Sequence, residues 1–166
     1  IEALAARVRG RVLRGARIAS PFLIRTYKPP LESLHGRTIV RLKRVGKRIA
    51  FGFEGDHWLV LHLMIAGRLH WKDVGAASKA RTHLAAFDFD NGTLTLTEAG
   101  TKRQAAIHLF DSERGIDVID PGGLEVFTAT FDEFRARLTA SNHTLKRALT
   151  DPHILSGIGN AFSDEI

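Results

Sequence analysis

Hydrophobic residues along this 166-residue chain follow a helical spacing first, then a strand spacing, and finally a helical spacing again. Leu4 and Val8 lie four residues apart, as on one face of a helix, and Gly10 ends that pattern. From about residue 10 to 115, apolar side chains mostly alternate with polar ones, which is typical of antiparallel strands. Helical spacing returns after Thr130. We therefore predict an α+β protein, in which an N-terminal helix precedes an antiparallel β-sandwich or barrel-like core and helices follow.

The strand signals are clearest in four segments. Residues 38–53 alternate in polarity and predict two strands joined near Gly46-Lys47. Residues 57–63 form a nearly unbroken apolar run, as in a strand that is buried on both faces. The turn sequence Asn91-Gly92 stands between two short alternating segments and predicts a hairpin. Residues 105–110 supply a further strand.

A break in this pattern falls at Asp120-Pro-Gly-Gly123, where two glycines follow a proline. We place a domain boundary there. Residues 1–119 then form the strand-rich domain, and residues 120–166 form a helical domain.

Polar residues that can cap helices recur in the second domain. Thr130 and Glu133 have the spacing of a capping box at the start of one helix. Asn142 is the candidate cap of a second helix that continues through Leu149. Asn160 is the candidate cap of a third. We expect that third helix to be unfinished at the end of the sequence, and we expect the chain to be a fragment.

Composition excludes several classes of protein. The chain contains no cysteine, so it holds neither a disulfide scaffold nor a cysteine-ligated metal site. No apolar run is longer than that of residues 58–61, which is far too short to cross a membrane. Arg7, Arg9 and Arg11 interrupt the first apolar segment, which does not fit a signal peptide.

Positive charge is concentrated in the first third of the chain. Residues 1–48 hold 13 Lys and Arg against two acids, a net charge of +11, whereas residues 49–166 carry a net charge of −5. An excess of this size predicts either a surface that binds a polyanion or a solvated basic face without a partner. Aromatic residues are sparse among these basic ones, so contacts to phosphate are favoured over stacking on bases.

The glycine-rich sequence Gly157-Ile-Gly-Asn160 stands before the last predicted helix. Two glycines there would let backbone N–H groups approach an anion closely, and the asparagine amide could donate a further hydrogen bond. The same residues also fit a plain turn followed by an asparagine cap. The motif alone leaves both interpretations open.

Together with its flanks, this segment resembles the helix-two-turn-helix of the formamidopyrimidine-DNA glycosylase and endonuclease VIII family. His62-Leu-Met-Ile-Ala-Gly67-Arg-Leu69 is similar to the family's His-Leu-Gly-Met-Ser-Gly-x-Leu segment. Arg44-Val-Gly-Lys47-Arg-Ile-Ala-Phe51 looks like its Arg-Arg-x-(Gly/Ala)-Lys-Tyr-Leu strand, and Ile1-Glu-Ala-Leu4 fits its first helix. The order and approximate spacing agree over essentially the whole chain.

The resemblance implies a DNA glycosylase of base excision repair with AP lyase activity. In that family the amine of an N-terminal proline attacks the sugar carbon that bears an oxidised base, and a neighbouring glutamate acts as general acid and base. The resulting Schiff base permits strand scission. Neither residue is present here, so we expect this stretch alone to be inactive. The alternative is a non-enzymatic relative that binds damaged DNA with the same scaffold.

Three residues take DNA-binding roles by this resemblance. Lys47 matches the strand lysine that contacts a phosphate near the lesion and assists catalysis. Lys146 and Asn160 match phosphate-binding positions of the helix-two-turn-helix. We expect all three to face a common cleft, because one DNA backbone must reach them all.

Four further residues are candidates for DNA binding, although the sequence around them departs from the family pattern. Ile65 stands where the family often has a methionine that fills the gap of the flipped base, and Met64 precedes it. Ile65 is therefore either an apolar wedge or a core residue. The family's Asp-Pro-Arg-Arg-Phe-Gly loop is not recognisable, but Lys102 and Arg103 could serve phosphates there. His83 aligns loosely with a histidine near the DNA backbone.

The remaining expectations concern cofactors and partners. We expect no cofactor or metal within this chain, and one structural zinc in a C-terminal part of the full-length protein, where the family carries a zinc finger. The expected partner is damaged double-stranded DNA. We also expect the protein to be a monomer that does not contact a membrane. If the protein is bacterial, we expect it in the cytoplasm, associated with the nucleoid.

Overall fold

The computed structural model describes residues 1–76, 81–100 and 102–166. Contacts divide the chain into two units. The first consists of Ile1–Arg44 and Arg48–Ile116, and the second of Val45–Lys47 and Asp117–Ile166. The second unit thus begins three residues before the Asp120 break, and it includes one turn from the strand-rich part of the sequence.

Among its described residues, the first unit contains one α-helix and two antiparallel four-stranded sheets, and the hydrophobic pattern predicts the helix and the antiparallel strands. Helix α1 covers Glu2–Val8. The strands are β1 (Leu13–Ile18), β2 (Ile39–Val45), β3 (Arg48–Phe53), β4 (His57–His62), β5 (Gly67–Lys72), β6 (His83–Phe89), β7 (Gly92–Glu98) and β8 (Ala106–Phe110). The first sheet has the order β1-β6-β7-β5, and the second has the order β2-β3-β4-β8. The described part of residues 38–110 contains no helix, which confirms the predicted change of period.

The hydrophobic core lies between these two sheets. Phe51 and Leu59 are direct cross-strand partners in the second sheet, and Phe87 and Leu94 are partners in the first. All four side chains are at most 4% exposed and belong to one apolar cluster. Burying apolar area between two sheets in this way is the main favourable contribution to the stability of a sandwich. The predicted α+β class with an antiparallel sandwich is therefore confirmed.

Some elements of the first unit were not predicted. Strand β5 pairs with β7 along its whole length, with Leu69 opposite Leu96. Two short 3-10 helices, Pro21–Leu23 and Leu31–Leu34, occupy the proline-containing connection between β1 and β2.

The second unit contains three short helices and one pair of parallel two-residue strands. Helix α2 covers Phe131–Thr139, α3 covers Leu145–Thr150 and α4 covers Asn160–Ser163. Strand β9 (Leu124–Glu125) pairs with β10 (Leu155–Ser156).

The helix starts of this unit agree only in part with the predicted caps. The capping box of Thr130 and Glu133 is present, with both reciprocal hydrogen bonds formed. The cap predicted at Asn142 is wrong. Thr144 occupies that position, and its hydroxyl accepts a hydrogen bond from the backbone N–H of Arg147. Asparagine and threonine both favour this position, and the sequence pattern does not distinguish two candidates two residues apart.

Candidate nucleic-acid interface

Lys47 lies in the tight turn between β2 and β3. Gly46 adopts φ +59°, a backbone conformation that favours glycine, and this lets the two strands reverse within two residues. The turn belongs to the second unit by its contacts. A Cβ atom placed on Gly159 would lie 3.5 Å from the Lys47 ammonium nitrogen. The side chain of Lys47 therefore extends to the glycine turn, and it is exposed.

The glycine turn differs from its predicted form in one respect. The residue that caps α4 is Gly159, in extended conformation, and no side chain caps this helix. Asn160 is instead the first helical residue, so the predicted capping role of its side chain is wrong. Its side chain is exposed beside the residue that Lys47 approaches. The amide thus stays available for a ligand, because the helix start does not use it.

Lys146 lies on α3 and is already paired within the second unit. Its ammonium group donates a hydrogen bond of 2.5 Å to the Asp164 carboxylate, just after α4. Both side chains are more than half exposed, so solvent screens the pair. The sequence does not reveal this pairing, because the partners are 18 residues apart. A phosphate at Lys146 would have to compete with the Asp164 carboxylate.

Ile65 lies in the turn between β4 and β5 and is 86% exposed. It is therefore not a core residue, which was one of the two interpretations of its position. The turn is tight. The backbone N–H of Gly67 donates to the Leu63 carbonyl at 3.0 Å, and a Cβ on Gly67 would lie only 2.2 Å from that oxygen. Glycine at this position thus allows the turn that presents Ile65 to solvent.

The loop with Lys102 and Arg103 begins at the same end of the first sheet. Glu98, the last residue of β7, is the direct partner of Gly67 in β5. Lys102 is exposed. The guanidinium of Arg103 donates to the backbone carbonyl of Arg81.

A buried carboxylate holds the base of this loop. Glu98 is 2% exposed. Its two oxygens accept the backbone N–H of Gln104 at 3.0 Å, and one of them also accepts that of Ala105 at 3.1 Å. Backbone N–H groups that would otherwise lack an acceptor are thereby satisfied. Glu98 is a residue that the sequence analysis missed, because nothing in the pattern separates it from an ordinary acid at a strand end.

His83 also lies at this end of the sheet, because it pairs with Thr97. Burial lowers the pKa of His83 below its ordinary value, and the nearby charges of Arg17 and Lys72 lower that pKa further. Its Nε2 atom is buried and has no hydrogen-bond partner in the part of the chain that the structure describes. The ring is therefore mainly neutral at pH 7. Ile65, Lys102, Arg103 and His83 thus form one group in the first unit, and Lys47, Lys146 and Asn160 form another in the second.

An ion-pair cluster lies over Trp58 of the second sheet. Glu113 accepts hydrogen bonds from Arg41 and Lys43 at 2.7 and 2.8 Å, and these two cations lie over the Trp58 ring. The indole N–H of Trp58 donates to Asp56, as does the backbone N–H of Glu113. These two hydrogen bonds lower the pKa of Asp56. Arg41 and Lys43, which contribute to the positive charge of residues 1–48, are thus partly neutralised by Glu113.

The described ranges contain no group of three His, Asp or Glu side chains that could hold a metal ion. None of the helices in these ranges is long and apolar enough to span a membrane.

Residues 1–106 match the family of the formamidopyrimidine-DNA glycosylase N-terminal domain. The chain belongs to this glycosylase family. Among curated relatives, the formamidopyrimidine-DNA glycosylase of Solibacter usitatus is 31% identical over 94% of this chain and 57% of its own length. The enzyme of the same name from Heliobacterium modesticaldum is 30% identical over 99% of this chain and 62% of its own length. The chain therefore spans about three fifths of these glycosylases.

A solved structure also has a similar fold. The Lactococcus lactis Fpg (MutM) protein, crystallised with FAPY-dG containing DNA, matches 99% of this chain and 63% of its own chain. The TM-score is 0.85 at 23% sequence identity. The architecture described above is thus that of the glycosylase fold.

Proposed function

We propose that the protein carrying this chain is a base excision repair DNA glycosylase that removes oxidised bases from duplex DNA and has AP lyase activity. Membership of the formamidopyrimidine-DNA glycosylase family over residues 1–106 carries the proposal. The names of the relatives agree with it, and so does the FAPY-dG containing DNA bound by the Lactococcus lactis protein.

The proposed chemistry uses two residues that this sequence does not contain. A secondary amine, from an N-terminal proline, attacks the sugar carbon that bears the damaged base. The bond to the base breaks, a glutamate manages the proton transfers, and the sugar ring opens to an iminium. Loss of a proton from the adjacent sugar carbon then expels the phosphate and cuts the strand.

The residues of this chain would hold the DNA for that reaction. Lys47 would bind a phosphate beside the flipped nucleotide, and its approach to Gly159 supports a shared position with Asn160. Lys146 would join them after releasing Asp164. Ile65, which is well exposed at a turn, would enter the gap left by the flipped base.

Lys102, Arg103 and His83 would contact the DNA backbone from the other group. Cationic side chains that contact phosphates position the duplex without reading its sequence. The neutral His83 ring would act through a hydrogen bond, because burial and neighbouring cations disfavour its charged form.

The alternative is a relative that binds damaged DNA without cleaving it. Borohydride reduction distinguishes the two, because it converts an iminium into a stable covalent adduct. The complete protein, incubated with duplex DNA that contains an oxidised purine or an abasic site, should form such an adduct and a cleaved strand. Binding without an adduct on either substrate would contradict the enzyme and support the alternative.

The role of Lys47 can be separated from general DNA binding. Lys47→Ala should lower single-turnover excision about 100-fold, because small displacements of a reacting group cost rates of this order. Affinity for undamaged duplex should change little, with a salt slope reduced by roughly 0.9 for one lost phosphate contact. Lys28→Ala, at an exposed lysine of the connection between β1 and β2, is the matched control. Unchanged excision by Lys47→Ala would refute the catalytic assignment.

Asn160→Ala should weaken capture of a lesion and turnover together, because its amide would hold the backbone rather than assist the chemistry. The same pair of assays measures both.

We further propose that the protein acts as a monomer in the bacterial cytoplasm. The family resemblance further leads us to propose a structural zinc bound by residues of the full-length protein outside this sequence.

A further inference from the structure

A second set of basic residues lies on the face of the β2-β3-β4-β8 sheet that points away from the core. Val60 is the direct partner of His108, and Arg48 is the direct partner of His62. Partners in an antiparallel pair, and residues two positions along each strand, share a face. The alternate residues, such as Ile107, belong to the core cluster. Arg48 and His108 therefore lie on the outer face together.

Arg25 joins them from the edge of this sheet. Ile24 forms a β-bridge with Ile107, and the backbone N–H of Arg25 donates to the Ile107 carbonyl at 2.8 Å. Ile24 packs against the core, so the next residue points to the opposite face, beside His108. Burial lowers the pKa of His108, and the charges of Arg48 and Arg25 lower that pKa further. Both guanidinium groups thus lie near one neutral imidazole.

Two polar atoms of this group lack partners. Arg48 Nε and His108 Nδ1 are buried, and neither makes a hydrogen bond within residues 1–76, 81–100 and 102–166. Buried polar atoms in native proteins are almost always satisfied, so each exception calls for an explanation. Arg17 is different, because its Nε and one terminal nitrogen both donate hydrogen bonds to the Asp88 carboxylate.

No carboxylate among the residues that the structure describes neutralises the two arginines. Among the described residues, neither Arg25 nor Arg48 takes part in a side-chain hydrogen bond or an ion pair. A buried guanidinium atom is costly unless it is paired, and two cations that share one neighbour without an anion disfavour each other's charge. A bound anion with several oxygen acceptors would remove both costs. Arginine suits phosphate in particular, because its planar fork donates two parallel hydrogen bonds.

We propose that Arg25, Arg48 and His108 form a binding site for a phosphate group. Arg25 donates from the exposed rim. The Arg48 and His108 side chains turn toward the phosphate as it binds, so that Arg48 donates from Nε and the His108 ring donates from its Nδ1–H tautomer. The phosphate has two possible sources, a phosphodiester of the DNA backbone and free inorganic phosphate. Only the first source rests on the proposed glycosylase function.

The test has two arms, both with the complete protein. In the first, the NMR resonances of the Arg48 Nε–H and the His108 ring are followed while inorganic phosphate is added, against chloride at equal ionic strength. A saturable shift with phosphate alone is expected, together with a higher pKa of His108. Arg48→Gln should abolish the His108 response.

In the second arm, the affinity for undamaged duplex DNA is measured across salt concentrations. Arg48→Gln should weaken binding about tenfold and lower the salt slope by roughly 0.9. The matched control is Arg14→Gln, which removes an exposed arginine from β1 in the other sheet. Arg25→Gln is a second test variant, and its exposed side chain makes a folding defect easy to avoid. Arg48→Lys should recover the salt slope but only part of the affinity, because it lacks the Nε donor.

The outcomes separate the sources and the two proposals. Effects of Arg48→Gln and Arg25→Gln on duplex affinity beyond those of Arg14→Gln assign the site to the DNA backbone. A phosphate response without a duplex effect assigns it to free phosphate. No effect in either arm overturns the site, whether or not the wild-type protein excises damaged bases. A phosphate response in a protein that never excises leaves the site standing and overturns only the glycosylase function.

Discussion

Replacing Glu98 by alanine should destabilise the first unit by about 3 kcal/mol. The substitution removes the acceptors of two backbone N–H groups, those of Gln104 and Ala105. Ala105 is 3% exposed, so water cannot replace its lost acceptor, and an unsatisfied buried N–H costs about 1–3 kcal/mol. Gln104 is exposed and can bind water instead, so it adds less. Hydrogen bonds to a charged carboxylate contribute about 1.5–3 kcal/mol each, and this places the total near 3 kcal/mol.

Urea denaturation followed by tryptophan fluorescence measures this change, because Trp71 lies in the same sheet as Glu98. Glu98→Gln should cost only about 1 kcal/mol, since its carbonyl oxygen can still accept from Ala105. Glu32→Ala is the matched control, because Glu32 is exposed and exposed substitutions usually change stability by less than about 0.5 kcal/mol. If Glu98→Ala costs no more than Glu32→Ala, the carboxylate does not hold the loop as described.

Three other variants test separate parts of the structure. Gly52→Ala would place its methyl carbon 2.7 Å from the Trp58 ring and should lower the free energy of unfolding by about 1–3 kcal/mol in urea; an unchanged value would refute the close contact. The Trp58 hydrogen bond lowers the pKa of Asp56, so this carboxylate stabilises the fold above its ordinary pKa of 3.8 and loses that effect as pH falls through the folded-state pKa. Asp56→Asn should therefore reduce the loss of stability between about pH 5 and pH 2 in acid titrations, and an identical loss would contradict it. Asp164→Asn should free Lys146, raise affinity for undamaged duplex several-fold and steepen the salt slope by up to 0.9, whereas weaker binding would count against competition at that lysine.

The sequence predicted the elements whose periodicity is long enough to measure. Strands β3, β4, β6 and β7 each carry six or seven residues with a clear apolar pattern, and all four were expected. Strands β9 and β10 have two residues each, and no period can be read from two positions. Their pairing depends on a contact between segments about 30 residues apart, which local patterns do not encode.

The residues of the candidate site were predicted mainly from the family resemblance. Spacing alone does not bring Lys47 near Gly159, because the two positions differ by 112 in the sequence and only the folded chain brings them together. The pairing of Lys146 with Asp164, the loop anchor at Glu98 and the exposure of Ile65 are likewise tertiary facts. Local rules of helix capping even favoured the wrong role for Asn160, because an asparagine beside a helix start is usually a cap.

The pairing of β9 with β10 closes the 29 residues between them into a loop whose two ends are adjacent. Its two ends are held side by side, so the connection between α2 and α3 can lengthen without displacing the segment that follows β10. Loop closure costs only about 0.6 kcal/mol more for each doubling of a flexible loop. The connection between α2 and α3 should therefore tolerate inserted residues, whether they arise by sequence drift or are an engineered tag. The glycine turn a few residues beyond β10 would keep its position.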